Sequence, residues 1–147
     1  MKGTIDFRYD RENDVIVATP HWNLQTEEDA RVWYQQYMDY LEQNFPGRRM
    51  DMVLELTDFQ IAAPIAAKWG EYRARIHKAH TRYSYRVNSS SRVRLYVNTS
   101  GVRYDASTEE AASVEDGLEA IREARRRDGV EGAGAVPAAP DLRAHVR

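Results

Sequence analysis

A nearly apolar run, Met52-Val53-Leu54-Glu55-Leu56, passes through Thr57-Asp58-Phe59-Gln60-Ile61 into a helical stripe that opens at Ala62-Ala63-Pro64 and repeats at Ile65, Trp69, Tyr72 and Ile76. A run of that length suits an interior strand covered on both faces. Pro64 is tolerated in the helix only because it sits in the first turn, and Gly70 weakens that helix by about 1 kcal/mol relative to alanine without breaking it. In an open α/β sheet, the carboxyl end of a strand that feeds a helix is where ligands, phosphates and partners dock. This junction carries no cysteine, lysine or serine and no glycine-rich loop. Its chemistry points away from catalysis and toward a binding or regulatory role.

The flanking segments predict the remaining elements. Ile5, Phe7 and Tyr9 alternate with Asp6, Arg8 and Asp10, and beyond the turn-forming Asp10-Arg11-Glu12-Asn13-Asp14 the run Val15 to Thr19 completes a hairpin. Thr26 caps a helix with an acidic first turn; Ala30, Trp33, Tyr34, Tyr37, Met38, Leu41 and Phe45 follow at helical spacing, and Pro46-Gly47 stops it. Tyr83, Tyr85 and Val87 read as a strand, and Asn88 to Ser91 as a loop capping a short helix at Val93, Tyr96 and Val97, closed by Ser100-Gly101. A weak extended piece is expected from about Val102 to Ala112. Ser113 to Asp116, resembling a capping box, opens a last helix through Leu118, Ile121 and Ala124 to Arg125-Arg126-Arg127. The order implies an α/β fold with a mixed four- to five-stranded sheet and helices mainly on one face. The expected division is a domain over 1–127 and a disordered Gly/Ala/Pro-rich tail over 128–147.

With 147 residues, the chain is long enough for one real core. The absence of cysteine excludes disulfides, thiolate zinc sites and a cysteine nucleophile, and a reducing cytoplasm is the simplest compartment. Met1 to Asp6 lacks a signal-peptide apolar region, and no apolar run reaches the roughly 18 residues of a membrane span. A net charge of -2 with acids and bases interspersed makes no global case for nucleic acid or an anionic membrane.

Three segments resemble the STAS domain, the module of anti-sigma-factor antagonists and sulphate-transporter tails. Met52 to Phe59 looks like its central strand, Ser91 to Val102 like its third helix and exit, and Ala112 to Ile121 like its closing strand-to-helix turn. With the element order, the likeness covers roughly Thr4 to Arg127, as in a divergent stand-alone bacterial member. In antagonist members a phosphorylatable serine at the entrance to the second helix switches binding to a kinase-type anti-sigma factor. The corresponding positions here are Ala62 and Ala63, followed by Pro64. The resemblance thus implies the fold and a docking surface, but not the switch.

Other constellations have ordinary readings beside the chemical ones. His77 and His80 are spaced to share a metal, yet no third ligand accompanies them, and histidine near a helix C-terminus complements its dipole. His21 titrates near neutrality, but no nucleophile or acid is legible beside it. Tyr34 and Tyr40 exceed what one helical stripe can bury, so a surface or interfacial role competes with core packing. Arg73, Arg75, Lys78, Arg82, Arg86, Arg92, Arg94 and Arg103 either form an anion-binding patch or are distributed surface charges.

The expectation is a non-enzymatic cytoplasmic module without cofactor, metal site, nucleic-acid partner or membrane span. It binds another protein, such as an anti-sigma-type regulator, or a second copy as a homodimer. The expected contact surface is Phe59, Gln60, Ile61, Ala62, Ala63 and Pro64 with Lys68, Glu71, Tyr72 and Arg75. The alternative is a carrier of a small apolar ligand or lipid, with its pocket under the second helix. Trp69 and Leu54 are expected in the core, and Thr57 at the strand's end with its hydroxyl less accessible.

Overall fold

The computed structural model describes residues 3–130. Strands β1 (Thr4–Asp10) and β2 (Val15–Leu24) form the antiparallel hairpin, with Asp14 taking the left-handed conformation at φ 56°. Helix α1 (Glu27–Asn44) leads to β3 (Met50–Glu55), β4 (Phe59–Ile61) and α2 (Ala66–His80), which is entered through a 3-10 turn at Ala63–Ile65. Strand β5 (Thr81–Val87), α3 (Ser91–Tyr104), β6 (Glu109–Ala111) and α4 (Val114–Asp128) complete the order. The sheet runs β1-β2-β3-β5-β6, parallel from β2 onward, with β4 paired to the far end of β2. The fold is α/β with a mixed sheet, as the sequence order implies.

The two-residue period of the strands divides the core into two layers. Ile16, Ala18, Met50 and Met52 face a cluster built by Trp33, Tyr37, Leu41, Trp69, Ile76, Val93 and Val97 from α1, α2 and α3. Val15, Val17, Val53 and Val87 point the other way, onto Ile121, Val114 and Leu118 of α4. Three helices therefore cover one face and one helix the other. Trp69 is buried as expected, whereas Leu54 is only half-buried, so the deepest side chain of β3 is its neighbour Val53.

Three local readings need correction. Phe59-Gln60-Ile61 is a strand, because Trp22 N–H donates to the Asp58 carbonyl (3.1 Å) and Ala62 N–H to the Leu24 carbonyl (2.8 Å). Helix α3 does not stop at Gly101; it runs to Tyr104 and ends on Asp105 in the left-handed conformation. The extended piece shrinks accordingly to β6. At the other end, α4 includes Asp128 and closes on Gly129, at φ 70°; the expected tail beyond Val130 lies outside the described residues.

The α4 face is locked by charge. Asp51, buried on β3, accepts from Arg82 through both oxygens (2.8 and 2.6 Å), from Arg125 Nε (2.8 Å) and from the Tyr83 N–H (3.1 Å). Arg125 also donates to the carbonyls of Asn13 (2.7 Å) and Asp14 (3.0 Å), tying α4 to the hairpin turn. The Asp14 carboxylate in turn accepts from Arg48 (2.8 Å) and from the Tyr9 hydroxyl. Removing one member of such a buried set strands the others, so Asp51→Asn is expected to cost about 3 to 5 kcal/mol. Its urea midpoint against wild type measures this.

Gly70 has a packing reason. A Cβ at this position would stand 2.9 Å from Ser100 Cβ, where α2 and α3 approach each other. Gly70→Ala therefore lowers stability by about 1 to 3 kcal/mol, despite an intrinsic helix preference of about 1 kcal/mol in its favour. A thermal melt of the variant that matched or exceeded wild type would contradict this account of the helix contact.

Candidate functional site

The expected contact surface is only partly a surface. Phe59 and Ile61 are fully buried, Phe59 beneath Trp33 and Trp69 with ring centroids about 6 Å apart. Gln60, Ala63, Pro64 and Arg75 are exposed, while Ala62, Lys68, Glu71 and Tyr72 are half-buried. Lys68 pairs with Glu71 (3.4 Å), and Tyr72 stacks on Tyr34 (4.8 Å) with Lys68 and Arg75 over its ring. Neither tyrosine in doubt is a free surface group: Tyr34 packs on Tyr72, and Tyr40 stacks on Phe7 at 4.1 Å. No side chain caps the turn at Ala63–Ile65 or the start of α2.

Instead, a groove opens between α2 and α3. Ala63, Ala66, Ala67 and Gly70 form its small-residue side, and Leu95, Tyr96, Thr99 and Arg103 the other. Leu95 is 60 % exposed and Val102 85 %, the two large apolar side chains most open to solvent among the described residues. Seven residues apart, they fall on one side of α3. That helix carries Arg92, Arg94 and Arg103 and no acidic residue. Arg94 is engaged by Glu110 (3.1 Å); Arg92 and Arg103 extend into solvent.

The carboxyl ends of β3, β5 and β6 frame a second, polar cleft lined by Thr57, Asn88, Ser89, Arg94 and Glu110. Thr57 is exposed in the turn after β3, contrary to expectation, with its hydroxyl on Glu55 (2.6 Å). Asn88, left-handed at φ 61°, donates to the same carboxylate (2.7 Å). Ser90 caps α3 through the Val93 N–H (3.2 Å).

The basic residues do not assemble into one patch. Arg73 and Arg86 turn inward beneath α2 and line a cavity of about 40 Å³ with Trp33, Trp69, Ile76 and His77. Burial, with Arg73 and Arg49 adding repulsion, pushes His77 down to about 4, which makes it a neutral imidazole. Among the described residues no group of three or more metal-ligating side chains surrounds it or His80.

His21 lies within β2, which runs beyond the expected Thr19 to Leu24. Its Nδ1 meets Asp58 (3.0 Å) and its Nε2 meets Asp6 (3.2 Å), so both ring nitrogens face carboxylates. The hydrogen bond to Asp58, helped by that to Asp6, raises its pKa and outweighs the opposing desolvation. Through these two contacts the imidazole clamps β1, β2 and the β3–β4 turn together.

The two histidines give opposite pH dependences. His21's folded pKa is raised, so its stabilisation is complete below about pH 6.5 and lost as pH climbs through the raised value. His77's is depressed, so stability on its account is full above about pH 6.5 and lost as pH falls toward 4. The melting-temperature difference between wild type and His21→Gln should shrink on the alkaline side, and that between wild type and His77→Asn should shrink on the acidic side. Parallel curves across the range would dismiss both assignments.

No protein-family model matches the chain, and no curated protein is significantly similar to it. No helix among the described residues is long and apolar enough to cross a membrane.

Proposed function

We propose that the protein is a non-enzymatic regulatory module of STAS-like architecture that binds a protein partner through the α2–α3 face. The observation that carries this reading is exposed Leu95 on the wall of the small-residue groove of α2, with exposed Val102 seven residues further along the same side of α3. Apolar side chains exposed on one helical stripe beside a groove favour a helical or loop partner with an apolar centre. Arg92 and Arg103 beside them call for acidic groups at that partner's rim. The contact surface is thus displaced from the buried Phe59 and Ile61 toward α3, while Ala63 remains part of it. Element order, with one antiparallel edge hairpin and a parallel remainder, supports the STAS-like reading.

The reading as a fatty-acyl carrier draws no support from the cavity under α2. A space of about 40 Å³ is far below the several hundred Å³ of a lipid-sized pocket.

With no hydroxyl at Ala62 or Ala63, partner binding is constitutive with respect to phosphorylation at the helix entrance. The double variant Leu95→Asp, Val102→Asp is expected to melt within a few degrees of wild type, since exposed substitutions cost about 0.5 kcal/mol each. It should fail to retain the partner that wild type captures. Retention at wild-type level would overturn the reading, as would phosphate transferred to Thr57 by an anti-sigma-type kinase with release of the partner.

A further inference from the structure

Charge is divided across the width of the helical layer. Helices α1, α2 and α3 lie side by side in that order: on one side of α2, Trp69 and Tyr72 meet Trp33 and Tyr34 of α1, and on the other, Gly70 and Arg73 meet Ser100 of α3. All three run in the same direction, because each returns from the end of one strand to the start of the next in the parallel part of the sheet. Helix α1 carries five acids, Glu27, Glu28, Asp29, Asp39 and Glu42, against Arg31 alone. Helices α2 and α3 carry seven lysines and arginines, four on α2 and three on α3, against Glu71 alone. One flank of the layer is thus acidic and the other basic, on a chain whose net charge is only -2.

The two flanks also share a spacing. Ala30, Trp33, Tyr37 and Leu41 face the core, so Glu28, Gln35 and Asp39 point outward from α1. Glu28 and Asp39 are eleven residues apart, three turns, and fall on one side of their helix. Arg92 and Arg103 are eleven apart as well, and Arg103 lines the α2–α3 groove. Among the described residues neither arginine forms an ion pair. Glu28 holds Arg31 (2.6 Å), an exposed pair that costs little to share. The heights agree too. Taking the contacts with α2 as a common level, at 1.5 Å per residue Glu28 and Asp39 stand about 8 Å to either side of it, Arg92 about 12 Å toward the N-terminus and Arg103 about 5 Å toward the C-terminus. Both pairs are offset by about 4 Å in the same direction, which a small slide or the long arginine stem takes up.

We propose that the occupant of the α2–α3 groove is a second copy of this chain, whose α1 seats there with Glu28 and Asp39 against Arg92 and Arg103. This rests on the reading of the α2–α3 face as a docking surface and names its partner. A two-fold axis parallel to the helices, beside α2, makes the contact reciprocal: it preserves height and direction while exchanging the acidic and basic flanks. Half-buried Val32, one turn after Glu28, then comes opposite exposed Leu95, one turn after Arg92. Three helices about 9 Å apart and about 21 to 27 Å long present roughly 600 Å². That is below the 800 Å² or so per partner of a standard interface, so the dimer is weak and salt-sensitive.

The test is sedimentation velocity of the full chain over a range of concentrations, in about 50 mM and about 500 mM sodium chloride. Wild type is expected to approach twice the monomer mass at low salt and to dissociate at high salt. The variant Arg92→Glu, Arg103→Glu and the variant Glu28→Lys, Asp39→Lys change exposed charges only, and each should weaken self-association at least tenfold while melting near wild type. Mixed in equal amounts, the two variants should dimerise again, because both contacts of the mixed pair are then of opposite charge. A wild type that stays monomeric at about 200 μM and low salt, well above a micromolar Kd, would overturn the proposal. So would a dimer that both variants retain, or a mixture no more associated than its components. The α1 variant separates this failure from that of the docking reading: a different partner held at the α2–α3 face would be lost by Leu95→Asp, Val102→Asp but kept by Glu28→Lys, Asp39→Lys, which would overturn the second copy as occupant and leave the docking face standing.

Discussion

A single carboxylate holds the two halves of this molecule in register. Asp51 sits at the start of the central strand β3 and receives Arg82 from β5 and Arg125 from α4, while Arg125 continues to the backbone of the hairpin turn. A helix packed on a valine-lined sheet face by Ile121 and Leu118 has apolar attraction but little to fix its azimuth. Directional charge-assisted hydrogen bonds supply what hydrophobic contact lacks. Gly117, whose absent Cβ would meet Val53 at 3.2 Å, lets α4 come close enough for them to form.

The two faces of the sheet solve the burial of charge differently. On the α4 side Arg82 and the buried Arg125 share the Asp51 carboxylate, so the desolvation cost is offset locally by an opposite charge. On the three-helix side the guanidinium groups of Arg73 and Arg86 meet neutral oxygens alone. The contrast arises within one domain of one composition. It marks the interior beneath α2 as the place where the fold tolerates an electrostatic cost it avoids elsewhere.

Much of the architecture was legible because it follows short-range rules. The alternation Ile5-Phe7-Tyr9 and the capped, Pro-Gly-terminated α1 each carry a period that only one element type satisfies, and the short apolar run of β3 is assigned by its length between turn residues. Strand β4 was not legible, since three residues set no period and its identity depends on pairing with Trp22 and Leu24. Gly101 read as a stop signal, but helix α3 needs no cap there because α2 and the chain from Ala106 enclose it; Asp105 ends it instead. The site was less legible than the fold. Phe59 and Ile61 face inward because β4 is a strand, and Arg73 and Arg86 had the composition of a surface patch while occupying core positions. Charge in a sequence carries no record of its distance from solvent.

The edges of the sheet also bear on how the protein meets others. At one edge β6 has only three residues, two of them exposed glutamates, Glu109 and Glu110. At the other, β1 turns Thr4, Asp6 and Arg8 outward. A strand approaching either margin finds a short or charged template rather than a long apolar one, the arrangement by which natural sheets resist growth into fibres. Lateral addition of strands is thereby disfavoured, and on the reading proposed above association falls to side-chain recognition on the helical layer.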